Sequence, residues 1–211
     1  MHPAYTAALQ AVTAAHQRAL NMSGAERALR ETRHHDPASQ RRLRSGVEKA
    51  LGESQKAIGT AMESIGTARA KAVAGIEAAL QIGEHRTSLT HALRASQLVS
   101  ALRGMGQTKA MEALRVAIRE GRVEPVASAL SIDALALGLS ANDMEGIRHD
   151  AERKFTPELV EERDNLDKLR ELVARAGDVV SARFSGLVGR GDDAFARTES
   201  ALRTLESSEV K

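Results

Sequence analysis

Apolar side chains recur every three or four residues from Val47 to Leu80, and this long stripe restricts the chain to few folds. The stripe comprises Val47, Leu51, Ser54, Ile58, Met62, Ile65, Arg69, Val73, Ile76 and Leu80. The repeat corresponds to about 3.67 residues per turn and predicts a straight or slightly right-handed helical seam. One helix cannot bury such a stripe against itself, so the pattern requires partner helices from this chain or from another.

A second seam follows Thr156-Pro157-Glu158, which is a strong helix start because proline is favoured in the first turn. Its first heptad position is aliphatic throughout, and its second is mixed because Glu162 and Arg183 interrupt it. A mixed seam is typical of an antiparallel hairpin or a bundle. The aliphatic side chains are Leu159, Leu166, Leu169, Val173, Val180 and Leu187.

Five glycines interrupt the long helix that carries the Val47–Leu80 stripe, which is predicted to start at Pro37: Gly52, Gly59, Gly66, Gly75 and Gly83. A glycine inside a helix costs about 1 kcal/mol relative to alanine. Two explanations remain open at this stage. Either a neighbouring backbone approaches closely along the glycines, or the helix tolerates them.

The remaining segments also show helical spacing. A first helix is predicted from Pro3 to about His34, with its stripe at Leu9, Val12, His16 and Leu20. Breaks are expected at Gly104-Met105-Gly106 and at Gly189-Arg190-Gly191. Helix starts are expected at Thr108, Pro125, Ser131 and Ser140, and no segment alternates as a strand does.

These elements predict an all-α protein in which long helices pack as an elongated bundle or coiled-coil-like assembly. Aromatic residues are only 2% of the chain, which favours thin helix–helix contacts over one thick core. We expect three regions: an elongated basic region at 1–104, a compact subdomain at 105–156, and a heptad helix with a short terminal helix at 157–211.

The sequence contains no recognisable catalytic or cofactor motif, so we expect a protein that is not an enzyme and holds no cofactor. It has no cysteine, no phosphate-binding loop and no GxSxG or HExxH motif. Glu145, His149 and Glu152 share one helix face and could hold a divalent ion. Three ligands without a fourth are more typical of a solvated face, so we predict no metal site there.

Charge is distributed unevenly along the chain, whose net charge is +2. Residues 1–120 carry 17 Lys and Arg against 10 Asp and Glu, and residues 121–211 carry 13 against 18. This polarity suggests head-to-tail association or a basic and an acidic partner, unless it is an ordinary solvated surface. A basic patch is formed by Arg27, Arg30, Arg33, Arg41, Arg42 and Arg44.

The basic patch allows two kinds of partner. Its arginines could contact nucleic-acid phosphates, but no aromatic side chains for base stacking accompany them. An acidic protein surface is therefore the preferred partner and nucleic acid the alternative. No stretch approaches the roughly 18 apolar residues of a membrane span, and Met1–Leu20 lacks the basic start of a secretory signal. We expect a cytoplasmic protein.

Three stretches carry a family resemblance: Ala117–Val126, Leu137–Ser140 and Arg153–Glu158. In these the chain resembles small helical proteins of tailed-bacteriophage structural gene clusters. The resemblance implies a virion or assembly protein, such as a scaffold, an internal head protein or a connector-associated protein. Together with the two seams, it predicts a structural protein that associates with itself or with other structural proteins through its long helices.

Overall fold

The computed structural model describes residues 3–31, 37–80, 82 and 89–208, with the side chains of residues 3–28, 38–80, 82 and 93–187. The described chain is helical almost throughout and contains no strand, which confirms the predicted all-α class. Its helices are α1 (Pro3–Glu31), α2 (Pro37–Ala79), α3 (Leu89–Met105), α4 (Gln107–Arg119), α5 (Val123–Leu130), α6 (Ala134–Leu137), α7 (Ala141–Phe155) and α8 (Pro157–Ser208).

Two predicted helix starts are confirmed. At α7, the Ser140 hydroxyl accepts from the Asp143 backbone N–H, and the Asp143 carboxylate accepts from the Ser140 backbone N–H. This reciprocal capping box satisfies two backbone donors that the first helical turn leaves without intrahelical partners. At α8, Pro157 is the first helical residue, where its missing N–H costs nothing.

Three other sequence predictions are wrong in detail. The residue that caps α4 is Gly106, which has a positive φ of 78°, and not Thr108. The cap of α6 is Asp133 rather than Ser131, because the Asp133 carboxylate accepts from the Leu135 N–H. The predicted break at residues 189–191 is absent, since α8 continues to Ser208.

The chain divides into two compact units, and α2 and α8 contribute residues to both. Unit 1 comprises Met1–Thr67 and Lys168–Lys211, and unit 2 comprises Ala68–Asp167. The expected compact subdomain, residues 105–156, lies wholly inside unit 2. The unit boundaries fall within helices, whereas the sequence suggested boundaries near residues 104 and 156.

Unit 1 packs α1 against the first part of α2 and the second part of α8. Its principal apolar cluster joins Ala15 and Ala19 of α1, Val47 and Ala50 of α2, and Val180 and Phe184 of α8. Arg18 on α1 pairs with Glu53 on α2 at 3.4 Å, and Met22 lies beside Gly46. These two contacts run in opposite chain directions, so α1 and α2 are antiparallel.

The second part of α8 also runs antiparallel to α2, an arrangement within the hairpin or bundle that the mixed heptad spacing predicted. A β-carbon added at Gly177 would lie 3.5 Å from Ile58 Cγ2, while Val180 and Phe184 reach Val47 and Ala50 further along. Since α1 and α8 are both antiparallel to α2, they run parallel to each other. Unit 1 is therefore a three-helix bundle.

Unit 2 has a larger core, formed around the short helices. In this unit α3 packs on α4, α5 and α6, and α7 packs on the same three helices. The buried cluster is mostly Leu, Ile and Val, including Leu114, Val126, Leu137 and Ile147. The end of α2 and the start of α8 join this cluster through Ile76, Leu80 and Val160, which is why the unit extends beyond residues 105–156.

The glycines of α2 do not share one role. A β-carbon at Gly52, Gly59 or Gly66 would meet nothing within 4 Å, so close helix approach does not explain these three. At Gly75 a β-carbon would lie 3.1 Å from Leu159 Cδ1, so this glycine does permit a close contact with α8. Gly83 lies outside the described residues.

Candidate interaction surface

The two predicted seams provide the internal packing of the chain. None of their fourteen apolar side chains is exposed: each is buried or half-buried. In unit 1, Ile58 lies against Gly177, and in unit 2, Arg69 Nε of α2 donates to Asp167 Oδ1 of α8 at 2.6 Å. Helices of the same chain therefore cover these seams. Their use between molecules stays a prediction.

The inner face of α1 is formed by alanine, which corrects the stripe predicted from Leu9 to Leu20. The side chains of Ala4, Ala8, Ala11, Ala15 and Ala19 are all buried. Leu9 is 65% exposed and Leu20 is 40% exposed, while Val12 is half-buried and His16 is exposed. Leu9, His16 and Leu20 thus lie on the outer side of the helix, and Val12 lies between this outer side and the buried alanines.

A second outer stripe lies on α8, one position away from its buried heptad. Leu172 and Val179 are 61% and 68% exposed, whereas the next residues, Val173 and Val180, are buried. The residues on this outer side of α8 are spaced four, three, four and four positions apart. They are Lys168, Leu172, Arg175, Val179 and Arg183.

The outer stripes of α1 and α8 belong to one face of unit 1. Successive helical residues are about 100° apart around the axis, which places Leu9 opposite Arg18, the residue that pairs with α2. The same rotation places Leu172 and Val179 on the side of α8 turned away from Gly177, which contacts α2. In a three-helix bundle, the outer sides remote from α2 form the face shared by α1 and α8.

We call this surface the α1–α8 face. The antiparallel contacts with α2 place Leu9 level with Leu172 and Leu20 level with Arg183, so the face extends over about three helical turns, or roughly 16 Å. Between the two outer stripes lie the half-buried side chains of Val12 and Ala176. The face is defined by Leu9, Val12, His16, Leu20, Lys168, Leu172, Ala176, Val179 and Arg183.

The charged groups of the α1–α8 face are cationic. From Pro3 to Ala25, α1 contains no Asp or Glu. Lys168 and Arg183 of α8 are exposed, and Arg175 at the edge pairs with Glu171 at 3.4 Å. Glu171 and Asp178 each precede an exposed aliphatic residue by one position, which places them about 100° further around α8, away from α1. The face is therefore aliphatic with a basic rim.

The basic patch lies at one end of unit 1, as far as its side chains are described. The antiparallel contact of Met22 with Gly46 brings Arg27, near the end of α1, towards Arg41 and Arg42 at the start of α2. All three are exposed. Arg44 is exposed as well and pairs with Glu48 at 3.1 Å. The side chains of Arg30 and Arg33 lie outside the described residues.

The three candidate metal ligands all lie on α7, where two of them are exposed and the third is already paired. Glu145 and His149 are exposed, while Glu152 Oε2 accepts from Arg163 Nη1 at 2.6 Å. This hydrogen bond is the main reason that the pKa of Arg163 is raised. The pairing joins α7 to the start of α8 within unit 2, so the Glu152 carboxylate already has a cationic partner.

The sequence contained a signal for the α1–α8 face. The exposed positions of α8 repeat with the same heptad period as the buried ones, displaced by one residue, and combine aliphatic with basic side chains. No helix of the described ranges has the length and apolarity of a membrane span. Comparison with protein-family models, with curated proteins and with solved structures finds no match to this chain.

Proposed function

We propose that this chain is a non-enzymatic structural protein that docks other proteins on the outer faces of its helices. The α1–α8 face is the observation that carries this proposal. Among the side chains that the structure describes in unit 1, the exposed large aliphatic ones lie on this face, although the same helices also have buried apolar sides. Grouped exposed apolar residues with a polar rim are typical of protein interaction sites.

The kind of structural role follows from the resemblance to tailed-bacteriophage structural proteins. We propose an assembly role of that class, in which the docked partner is another particle protein. Support comes from the internal packing: helices of the same chain cover the long seams, so the α1–α8 face is available for a partner. A scaffold, an internal head protein and a connector-associated protein all fit this role.

The experiment is site-specific crosslinking in the organism or phage that encodes the chain. A photoreactive residue at Val179 should yield one dominant partner protein, which mass spectrometry identifies. The matched control places the same residue at Gln55, which is exposed on α2 in the same unit. A particle component captured at Val179 alone, and lost on Leu9→Asp, supports the proposal. Equal capture at both sites, or none, contradicts it.

Nucleic-acid binding is the second candidate, and the clustering of Arg27, Arg41 and Arg42 at one end of unit 1 favours it. Phosphate contacts make affinity fall with salt, with a slope set by the number of contacts. Arg41→Gln together with Arg42→Gln should then weaken duplex DNA binding and flatten that slope. The matched control is Lys49→Gln with Lys56→Gln. Undetectable binding at physiological salt by the unaltered chain eliminates this candidate.

A further inference from the structure

The basic rim of the α1–α8 face indicates which chemistry its partner carries. We infer that the face binds an acidic amphipathic helix of another protein, laid between α1 and α8. This inference rests on the proposed docking function and specifies its partner class. Three properties of the face carry it: its groove, its length and the sign of its charges.

The groove is the line between α1 and α8 along which buried and exposed side chains meet. Its floor is made by Val12 and Ala176, which are half-buried, and its rims carry Leu9 and Leu20 on one side and Leu172 and Val179 on the other. Two parallel helices with small side chains between them leave a furrow into which the ridge of a third helix packs. A helix docked there would turn this side of unit 1 into a four-helix arrangement.

The length of the face limits the partner to a short segment. Leu9 and Leu20 are separated by about three helical turns, so the docked helix needs three or four apolar residues at intervals of three and four. This is the helix-in-groove mode of recognition, in which such anchors enter the furrow. On the docked helix, the positions that flank these anchors would face Lys168 and Arg183.

The charges select an acidic partner. Lys168 and Arg183 are both exposed on the face, and α1 has no carboxylate before Glu26. A partner with Asp or Glu beside its apolar anchors would be attracted, whereas like charges across an interface are unfavourable. A second copy bound through the same face would place these cations opposite one another, because a two-fold interface pairs identical surfaces.

The experiment measures fluorescence anisotropy of three labelled helical peptides titrated with the full chain. The first peptide carries leucine anchors flanked by glutamate, the second has lysine at every glutamate position, and the third keeps glutamate but replaces the leucines with serine. We expect the glutamate–leucine peptide to bind at least tenfold more tightly than either control. Its affinity should fall as salt rises, because salt screens exposed charges.

Two sets of variants place the binding on the α1–α8 face. Lys168→Glu with Arg183→Glu should reverse the preference between the glutamate and lysine peptides, whereas Lys49→Glu with Lys56→Glu on α2 should leave it unchanged. Leu172→Asp should lower the affinity for the glutamate–leucine peptide by about fivefold or more, which is the effect of losing one interface anchor. Since Leu172 and the lysines are exposed, circular dichroism and melting should show folded variants.

Several outcomes would overturn the inference and leave the docking function standing. Equal binding of the acidic and basic peptides, or tighter binding of the basic one, would exclude an acidic helix as the partner. The chain could instead bind anionic lipid vesicles or duplex DNA and none of the peptides. If Lys168→Glu with Arg183→Glu abolishes that binding, the face belongs to another class of partner. If the crosslinking at Val179 also fails, the docking function itself is wrong.

Discussion

Unit 1 and unit 2 are both helical, but they bury different side chains. More than half of the buried apolar residues described in unit 1 are alanine, whereas in unit 2 about a third are. The cluster of unit 2 is filled by residues such as Leu114, Leu137 and Ile147. Among the described side chains of unit 1, Phe184 is the largest that is buried, and its cluster includes Ala15 and Ala19.

This contrast shows that a helix can turn its larger apolar side chains outwards and still pack well. Alanine removes little apolar area from water, so each buried alanine of α1 contributes less than a leucine would. The small side chain allows two helices to approach closely and costs no rotamer entropy. Leu9 and Leu20 of α1 then remain exposed on the α1–α8 face, where we propose that they contact a partner.

The largest expected effect would come from removing the largest buried side chain described in the alanine-rich unit, Phe184. Phe184→Ala should lower the free energy of unfolding by about 3–5 kcal/mol, because buried Phe-to-Ala changes lose transfer energy and leave a cavity. Urea denaturation measures this loss. Leu114→Ala in unit 2 is the comparison, with about 2–5 kcal/mol expected. A loss under 1 kcal/mol at Phe184 would mean that alanine contacts alone hold unit 1.

The next effect tests whether the alanine face of α1 is closely packed. Ala15 is fully buried, so Ala15→Leu should destabilise unit 1 by about 1–3 kcal/mol through overpacking. Gln10→Leu places the same side chain on an exposed site of α1 and should change stability little. Thermal melting distinguishes the two. If Ala15→Leu stabilised the protein, the alanine face would contain unfilled space.

A third prediction concerns the capping box of unit 2 and its dependence on pH. Ser140→Ala should cost about 1 kcal/mol, as expected for the loss of an N-cap side chain. Hydrogen bonds from the Ser140 side chain, the Ser140 backbone and the Gln107 side chain lower the pKa of Asp143 from 3.8. A lowered folded-state pKa contributes stability above the unfolded-state pKa, and this contribution is lost as pH falls through the folded-state value.

Denaturation at pH 7 and at successively lower pH measures that contribution. We expect Asp143→Asn to reduce stability at pH 7 and to approach the unaltered protein as pH falls below 3.8. A constant difference between the two proteins across this range would show that the charge of Asp143 does not contribute.

The smallest effect distinguishes the glycines of α2. Gly59→Ala and Gly66→Ala in unit 1 should each raise stability by about 0.5–1 kcal/mol, because alanine is the better helix former and the added carbon meets nothing. Gly75→Ala in unit 2 should gain less or lose stability, since its β-carbon would lie 3.1 Å from Leu159 Cδ1. Equal gains at the three positions would show that the Leu159 side chain moves without cost.

Much of the candidate surface could not be predicted from the sequence, although parts of it were visible there. The buried heptad of α8 was predicted from Leu159 to Leu187, and the structure buries or half-buries all of it. The exposed stripe at Leu172 and Val179 has the same period, so periodicity alone does not say that it is a separate surface. Its place beside Leu9 and Leu20 depends on which helices α2 contacts.

The sequence by itself determined the helical class, the long α2 and α8, and the starts of α7 and α8. These features follow from spacing and capping, which involve residues within one or two helical turns. Only the tertiary structure decided the orientation of α1. Its alanine stripe and its leucine stripe have equivalent spacing, and the choice between them depends on how closely α2 and α8 approach. The roles of Gly59 and Gly75 differ for the same reason: one faces open space and the other faces Leu159.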